Sequence, residues 1–363
     1  MTAPPPNEHL LSIRRDSDCI GDRRGFVCLD RNERPSPWPD DVFRQMLAKL
    51  DPWDLTHYPD LGPLYQRLVR ATGLPQERLC VGAGSDSLIR RMFQAYLRPG
   101  DTVVTPDPTY GMYAVWSRLC QARHVAVPYG ADLRLPIDKF MQAIADAKPR
   151  IVAIANPDQP TGSLLSRAEI LLILEACERV GAICIVDEAY FPFSPSSMMA
   201  DVPDHASLVV MRSFSKSAGI AGLRVGFAAG DESIIRALHA LRSPGEVSSV
   251  SAIVATFLLE RPDLTDVYVQ DVEEGRSLLI DAWESLGYSA PRHHGNFQLL
   301  GLPPGMESGD LVKSLENNGF LIKGGFTFPP LRDFVRVTLD GRAVIQPFVK
   351  CLREVCAETR PAV

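Results

Sequence analysis

The sequence predicts an α/β fold: a mainly parallel sheet covered on both faces by helices in a large domain, followed by a smaller α+β domain. Three observations predict it. Between residues 79 and 211, apolar runs of strand length alternate with amphipathic helical stretches, the pattern of a parallel sheet buried on both sides. The residues that carry chemistry each follow directly after one of those runs, where open parallel sheets bind ligands. The length of 363 residues also exceeds the roughly 250–300 residues at which single cores stop growing.

The elements follow in order. Residues 1–24 are polar, charged and Pro-rich at the start, and read as a flexible N-terminal arm without a signal peptide's apolar core. Phe26–Leu29 is a short strand running into Asp30-Arg31-Asn32-Glu33-Arg34-Pro35 and a Pro/Trp loop. Asp40–Leu50 carries Val42, Phe43, Met46, Leu47 and Leu50 on one helical face. His57-Tyr58-Pro59-Asp60 is a turn, and a helix follows to about Thr72. Leu79–Val81 is a strand feeding the glycine turn Gly82-Ala83-Gly84, after which Leu88, Ile89, Met92, Phe93, Tyr96 and Leu97 form a buried stripe. Ser85 or Asp86 is a natural N-cap there, and backbone amides at a helix start form an anion cradle. A dinucleotide fingerprint fails for want of a third glycine.

Strands are then expected at Thr102–Thr105, His124–Val127, Ile151–Ala155, Ala182–Val186 and Leu208–Met211. Helices are expected at Tyr110–Leu119, Ile137–Ala147, Arg167–Val180 and Asp231–Leu241. After a break at Ser243-Pro244-Gly245, Ser249–Glu260 and a long Leu264–Leu286 read as helices. Short strands (Phe297–Leu300, Phe320–Ile322, Phe334–Thr338) then mix with helices at Gly309–Asn317 and about Arg342–Glu358. The expected division is an arm at 1–24, a segment 25–45 joining the smaller domain, a large domain at 46–242 and the smaller domain at 243–363.

Composition narrows the function. A net charge of −6 gives no nucleic-acid footprint, and no apolar run approaches bilayer length, so neither nucleic acid nor membrane is expected as a partner. The eight cysteines are scattered without metal or redox spacing, which suits a reduced cytoplasmic setting. His293-His294 is an isolated pair that reads as loop, and no metal is expected.

The chemistry centres on Arg212-Ser213-Phe214-Ser215-Lys216 and Gly222-Leu223-Arg224-Val225-Gly226. A lysine among small hydroxyl residues, near an arginine, suits a Schiff-base lysine beside a phosphate, as pyridoxal phosphate requires. Ser213, Ser215 and Arg224 could hold that phosphate. Asp187, directly after an apolar strand, could pair with a pyridinium, and Tyr190 three residues on could donate to a ring hydroxyl. Asn156 opens a turn-rich loop and can offer an amide to the same oxygen. Each has a plain alternative: a Ser/Gly surface loop for the lysine stretch, an N-cap or surface carboxylate for Asp187, turn chemistry for Asn156. Their concentration in one sheet favours a single site.

On these motifs the chain resembles the fold-type I aminotransferases of classes I and II, and within them the histidinol-phosphate aminotransferase branch. The matching stretches are Tyr58-Pro59, Gly84-Ser85-Asp86, Pro108-Thr109-Tyr110-Gly111-Met112-Tyr113, Asn156-Pro157 with Pro160-Thr161-Gly162, Asp187-Glu188-Ala189-Tyr190, the lysine and arginine motifs, Asn296-Phe297 and Val335-Arg336-Val337-Thr338. The resemblance implies an aspartate aminotransferase-like fold with a seven-stranded-type sheet, and pyridoxal 5′-phosphate as cofactor. It implies that Lys216 binds the cofactor and shuttles a proton, and that Asp187 meets the ring nitrogen. Asn156 and Tyr190 would meet the ring oxygen, and Tyr110 would stack on the ring. Gly84, Ser85, Asp86, Ser213, Ser215 and Arg224 would surround the phosphate. It further implies a homodimer in which Tyr58 reaches the neighbouring site, and substrate contacts from Arg336, Asn32, Lys323 and Tyr110.

Departures from the family pattern bear on the substrate. The loop that usually reads Asn-x-Asn-Glu-x-Pro here ends with an extra charge at Arg34, and Lys323 stands where the histidinol-phosphate enzymes use a phosphate-binding arginine. The first functional reading is transamination of a small amino acid or amino-alcohol phosphate. A second keeps the cofactor but decarboxylates, eliminates or cyclises. A third, the effector domain of a transcription regulator, needs a winged helix that the polar residues ahead of Phe26 do not supply.

Overall fold

Every residue of Ile151–Ala155 is buried, and Cys184–Asp187 beside it likewise, because helices cover both faces of the sheet to which these runs belong. The computed structural model describes residues 5–11, 13, 22–292 and 294–358. Its strands are β1 (Val27–Leu29), β2 (Leu79–Gly82), β3 (Thr102–Asp107), β4 (Arg123–Pro128), β5 (Ile151–Ala155), β6 (Ile183–Asp187), β7 (Leu208–Ser213), β8 (Gly226–Ala229), β9 (Phe297–Gly301), β10 (Phe320–Ile322) and β11 (Phe334–Thr338). Its helices are α1 (Glu8–Leu11), α2 (Asp40–Leu47), α3 (Trp53–Thr56), α4 (Gly62–Thr72), α5 (Ser85–Tyr96), α6 (Met112–Leu119), α7 (Ile137–Ala147), α8 (Arg167–Val180), α9 (Glu232–Ala240), α10 (Ser249–Glu260), α11 (Pro262–Glu284), α12 (Ser308–Asn317) and α13 (Arg342–Glu358).

Seven strands form the main sheet in the order β2-β8-β7-β6-β5-β3-β4. All pairs are parallel except those of β8, which runs against both β2 and β7. The carboxyl ends of the other six strands therefore share one edge with the start of β8, and Gly226 lies opposite both Gly82 and Ser213. The sequence reading omitted β8: Gly226-Phe227-Ala228-Ala229 is short, buried on every residue, and shows no period. It also omitted α3, a single turn.

Local signals set the helix ends. Ser166 and Glu169 form a reciprocal capping box on α8, which ends at Gly181 with φ 72°. The N-cap of α5 is Gly84 rather than Ser85 or Asp86, and no side chain caps its amides.

Two smaller pairings lie apart from the main sheet. β1 pairs with β10 in parallel and β9 with β11 antiparallel, with a bridge between Lys323 and Arg336. A second apolar core joins Leu29, Tyr268, Trp283, Phe297, Val335 and Phe348. Ala252, Val254, Phe257 and Leu258 of α10 pack in the main-sheet core with α4 residues, and the second core includes α11 from Tyr268. Val42 and Met46 also pack in the main-sheet core. Within the expected N-terminal arm Glu8–Leu11 forms the single turn α1, and most of the rest lies outside the described residues. No described helix is long and apolar enough to cross a membrane.

Candidate active site

At the shared strand edge lies a cavity of about 310 Å³, within the size range of small-molecule sites. The carboxyl ends of β6 and β7 and the segments that follow β2, β3, β5 and β7 supply Ser85, Asp86, Tyr110, Gln159, Asp187, Ser213, Ser215 and Lys216. Arg224 comes from the turn before β8, and Arg31, Asn32, Glu33 and Arg336 come from the β1 loop and β11.

Part of the lining suits an anion. Ser85 and Asp86 line it from the uncapped start of α5, and Arg224 Nη1 donates to Ser215 Oγ at 3.1 Å. Ser213 Oγ accepts from the Ser215 N–H at 3.1 Å. Glycine is required at two positions. A Cβ on Gly84 (φ 82°) would lie 2.6 Å from Arg224 Nη2, and one on Gly226 would lie 2.5 Å from the Ser85 nitrogen.

Asp187 ends β6 at the floor, 3% exposed. Tyr113 Oη donates to its Oδ2 at 3.2 Å, and the Ala189 N–H to its Oδ1 at 3.1 Å. Burial nevertheless pushes its carboxyl up to about 6. Tyr110 stands edge-on to Tyr113, 5.5 Å between ring centres, and donates to Asp86 Oδ1 at 3.3 Å. Burial raises the Tyr110 phenol far above its ordinary range.

Lys216 Nζ donates to the Arg31 carbonyl at 3.2 Å and lies 5.8 Å from the Tyr190 ring centre. Burial, with Arg336 and Arg224 nearby, lowers its pKa to about 8. Tyr190 Oη accepts from Asn32 Nδ2 at 2.9 Å, and burial pushes this phenol up to about 12. Asn32 is itself fixed, with φ 55°, its N–H on Thr338 Oγ1 and its carbonyl receiving Asn296 Nδ2.

At the far wall Arg336, 5% exposed, donates Nη2 to the Asp30 carbonyl at 2.8 Å, while its buried Nε has no partner among the described residues. Burial lowers its pKa. Arg23 bonds both Asp30 and Glu33, so two carboxylates of this loop are already compensated.

Asn156, Lys323, Arg34 and Tyr58 do not line this chain's cavity. Asn156 Nδ2 donates to the Leu165 carbonyl at 3.1 Å and its Oδ1 accepts the Leu165 N–H at 2.8 Å, which fixes the amide plane and leaves the second hydrogen of Nδ2 outside these bonds. Gln159, in the same loop, lines the cavity instead. Lys323 is exposed and outside the cavity, joined to Arg336 only through the backbone at 2.7 and 3.0 Å. Arg34 is stacked between Trp38 and Tyr268, 4.1 and 4.4 Å from their ring centres, and it is Arg31 that faces the site. Tyr58 is 90% exposed and stands beside Gly245, away from its own chain's cavity. Among the described residues no group of three or more His, Cys, Asp and Glu side chains could hold a metal ion, and His293 lies outside them.

Known proteins match this arrangement. The family described as aminotransferase class I and II matches residues 54–344. Histidinol-phosphate aminotransferase 1 of Burkholderia lata is 33% identical over 337 residues, 90% of this chain and 93% of that protein. The histidinol-phosphate aminotransferase of Caldanaerobacter subterraneus subsp. tengcongensis is 29% identical over 329 residues, 90% and 92% of the two chains. The crystal structure of histidinol-phosphate aminotransferase from Sinorhizobium meliloti, in complex with pyridoxal-5′-phosphate, superposes with a TM-score of 0.87 over 99% of each chain at 21% identity. The residues present fit that cofactor: an anion cradle closed by glycines, a buried carboxylate and a lysine of lowered pKa border one cavity. The chain belongs to the class I and II aminotransferases, pyridoxal phosphate-dependent enzymes of fold type I, on the histidinol-phosphate aminotransferase-like branch.

Proposed function

We propose that this aminotransferase moves an amino group between a small donor and an oxo acceptor, the donor being an amino acid or an amino-alcohol phosphate of the histidinol phosphate kind. The observation that carries the reading is the convergence of Lys216, Asp187 and Arg336 on one cavity. Bound pyridoxal phosphate supplies a carbonyl for the donor's amino group and a ring that spreads the electron pair left at Cα. Lys216 Nζ is the proton carrier, since a pKa of about 8 leaves part of it neutral near neutral pH. Asp187 holds the proton on the ring nitrogen. Tyr190 and Gln159 serve the ring oxygen, and Tyr110 covers a ring face. Ser85, Ser213, Ser215, Arg224 and the first amides of α5 bind the phosphate. Arg336 grips the donor's anionic group, and Arg31 and Asn32 border the same space.

The working unit in this reading is a homodimer, with Tyr58 of one copy serving its neighbour's site. It is supported by the 90% exposure of Tyr58 and the exposed Trp53 and Leu55 near it. A cytoplasmic setting suits the free thiols of Cys28, Cys80, Cys120, Cys177 and Cys184. The test is to incubate the cofactor-loaded enzyme with histidinol phosphate and a panel of amino acids. Conversion of the cofactor to its amine form with an oxo product supports the proposal. Release of CO₂ or ammonia without that conversion replaces it with decarboxylation or elimination.

A further inference from the structure

The glycine turn ahead of α5 is braced from behind by a side chain that never reaches the cavity. Glu246 lies in the segment between α9 and α10. Its Oε1 accepts from the Ala83 N–H at 3.1 Å and from Arg91 Nη2 at 2.9 Å. Arg91 stands in α5 itself, its side chain 1% exposed against 11% for Glu246, and its Nη1 continues to the Leu238 carbonyl at 3.3 Å. A Cβ on Gly82 would lie 2.5 Å from Arg91 Nη2 and 2.7 Å from Ser87 Oγ, so a glycine is needed for the arginine to pass under the turn. Burial pushes the Glu246 carboxyl up, but the Ala83 N–H, Ser87 and Arg91 together bring it below its ordinary range. It is a carboxylate at working pH. One residue back, Gly245 carries the Tyr58 ring, which a Cβ there would approach to 3.1 Å.

We propose that Glu246 is a positioning residue for the anion cradle. With Arg91 as its counter-ion it holds the Ala83 amide, and so fixes the turn that aims Ser85 and the first amides of α5 at the cavity. The inference rests on the reading that this cradle takes the cofactor's phosphate. A buried ion pair adds little net stability over apolar packing, so fold stability alone does not account for its placement under the turn. Glu246 acts through Ala83 and touches neither the cavity nor its lining.

The test compares two probes on the full-length protein stripped of cofactor: pyridoxal phosphate and pyridoxal, which lacks the phosphate. Binding is followed by absorbance. In E246Q, whose amide oxygen can still accept from the Ala83 N–H but without the charge, the affinity for pyridoxal phosphate falls by up to about tenfold, the difference between a charged and a neutral acceptor, while that for pyridoxal is unchanged. Equal loss for both probes, or loss for neither, overturns the proposal. R224Q runs beside it: if R224Q keeps the full preference for the phosphorylated probe, the cradle reading itself fails. If R224Q loses that preference and E246Q does not, only the role of Glu246 fails. Should E246Q not fold, E246D keeps the charge against Arg91 but shortens the reach to Ala83. Loss of the phosphate preference in E246D supports the proposal, and full retention overturns it.

Discussion

Tyr113 donates its phenol hydrogen to Asp187 Oδ2 at 3.2 Å, and both side chains are buried in the single chain. The bond works against the burial that lifts Asp187 to about 6. In the cofactor-free protein the folded state therefore keeps this proton up to about pH 6, whereas an unfolded chain releases it near the ordinary value of 3.8. Between those values the folded form binds more protons, so this group costs stability as pH rises through the window. Asp187→Asn removes the cost. Urea unfolding of the apoprotein should show the variant more stable than wild type above pH 6, by up to about 3 kcal/mol, with the gap closing toward pH 4. Tyr113→Phe should move the other way by about 1 kcal/mol. Asp187→Asn is expected at the same time to lose at least about a hundredfold in kcat, the stability gain and the loss of function coming from one carboxylate.

Lys216 gives a second pH signature. Its neutral amine is the reactive form, and burial lowers its pKa from 10.5 to about 8. The rate at which apoprotein captures pyridoxal phosphate should rise with pH up to about 8 and then level. Stopped-flow absorbance measures it. A rate that keeps climbing toward pH 10 would show an unperturbed lysine. Lys216→Ala should lack the visible band, and borohydride should fix no cofactor to it.

Much of this site was legible because apolar strands announce where their carboxyl ends fall. Asp187 closes a five-residue strand buried over its last four residues, and Ser213–Lys216 closes and follows another. What escaped was set by backbone direction. Asn32 at φ 55° bends the β1 loop so that Arg31 and Glu33 face the cavity while Arg34 is carried between two aromatic rings. Spacing along the chain does not reveal that turn. Lys323 is a related case: nearness to β10 does not say whether a side chain leaves toward ligand or solvent, and here it is exposed. The short, period-free β8 offered no pattern at all.

The loop 156–162 turns the same lesson into a measurement. Asn156 gives one N–H and one oxygen lone pair to Leu165, and Gln159 lines the cavity. Asn156→Ala would leave the buried N–H and C=O of Leu165 without their partner, a loss of about 1–3 kcal/mol. Its melting temperature should fall while the absorption spectrum of the bound cofactor keeps its shape. Gln159→Ala should do the reverse, shifting the spectrum with little change in melting temperature. A spectral shift confined to the Asn156 variant would return the ring-oxygen role to that residue.

Arg336 is the group from which substrate choice can be read. Its guanidinium is buried and held on one side by the Asp30 carbonyl, with Nε unpartnered among the described residues. A planar fork in that setting binds a carboxylate or phosphate through two parallel bonds, which an ammonium cannot reproduce. Arg336→Lys keeps the charge and loses the fork. KM for the amino donor should rise about ten- to hundredfold with kcat much less affected, because the contact serves ground state and transition state alike. Cofactor affinity and spectrum should stay as in wild type, since Arg336 makes no hydrogen bond to Ser213, Ser215 or Arg224 and the lysine keeps the charge. Steady-state kinetics on the lysine variant against a phosphorylated and a carboxylated donor then separate the two substrate classes. The class whose KM rises is the one whose anion sits on Arg336, and a fall in kcat alone would remove this arginine from substrate binding.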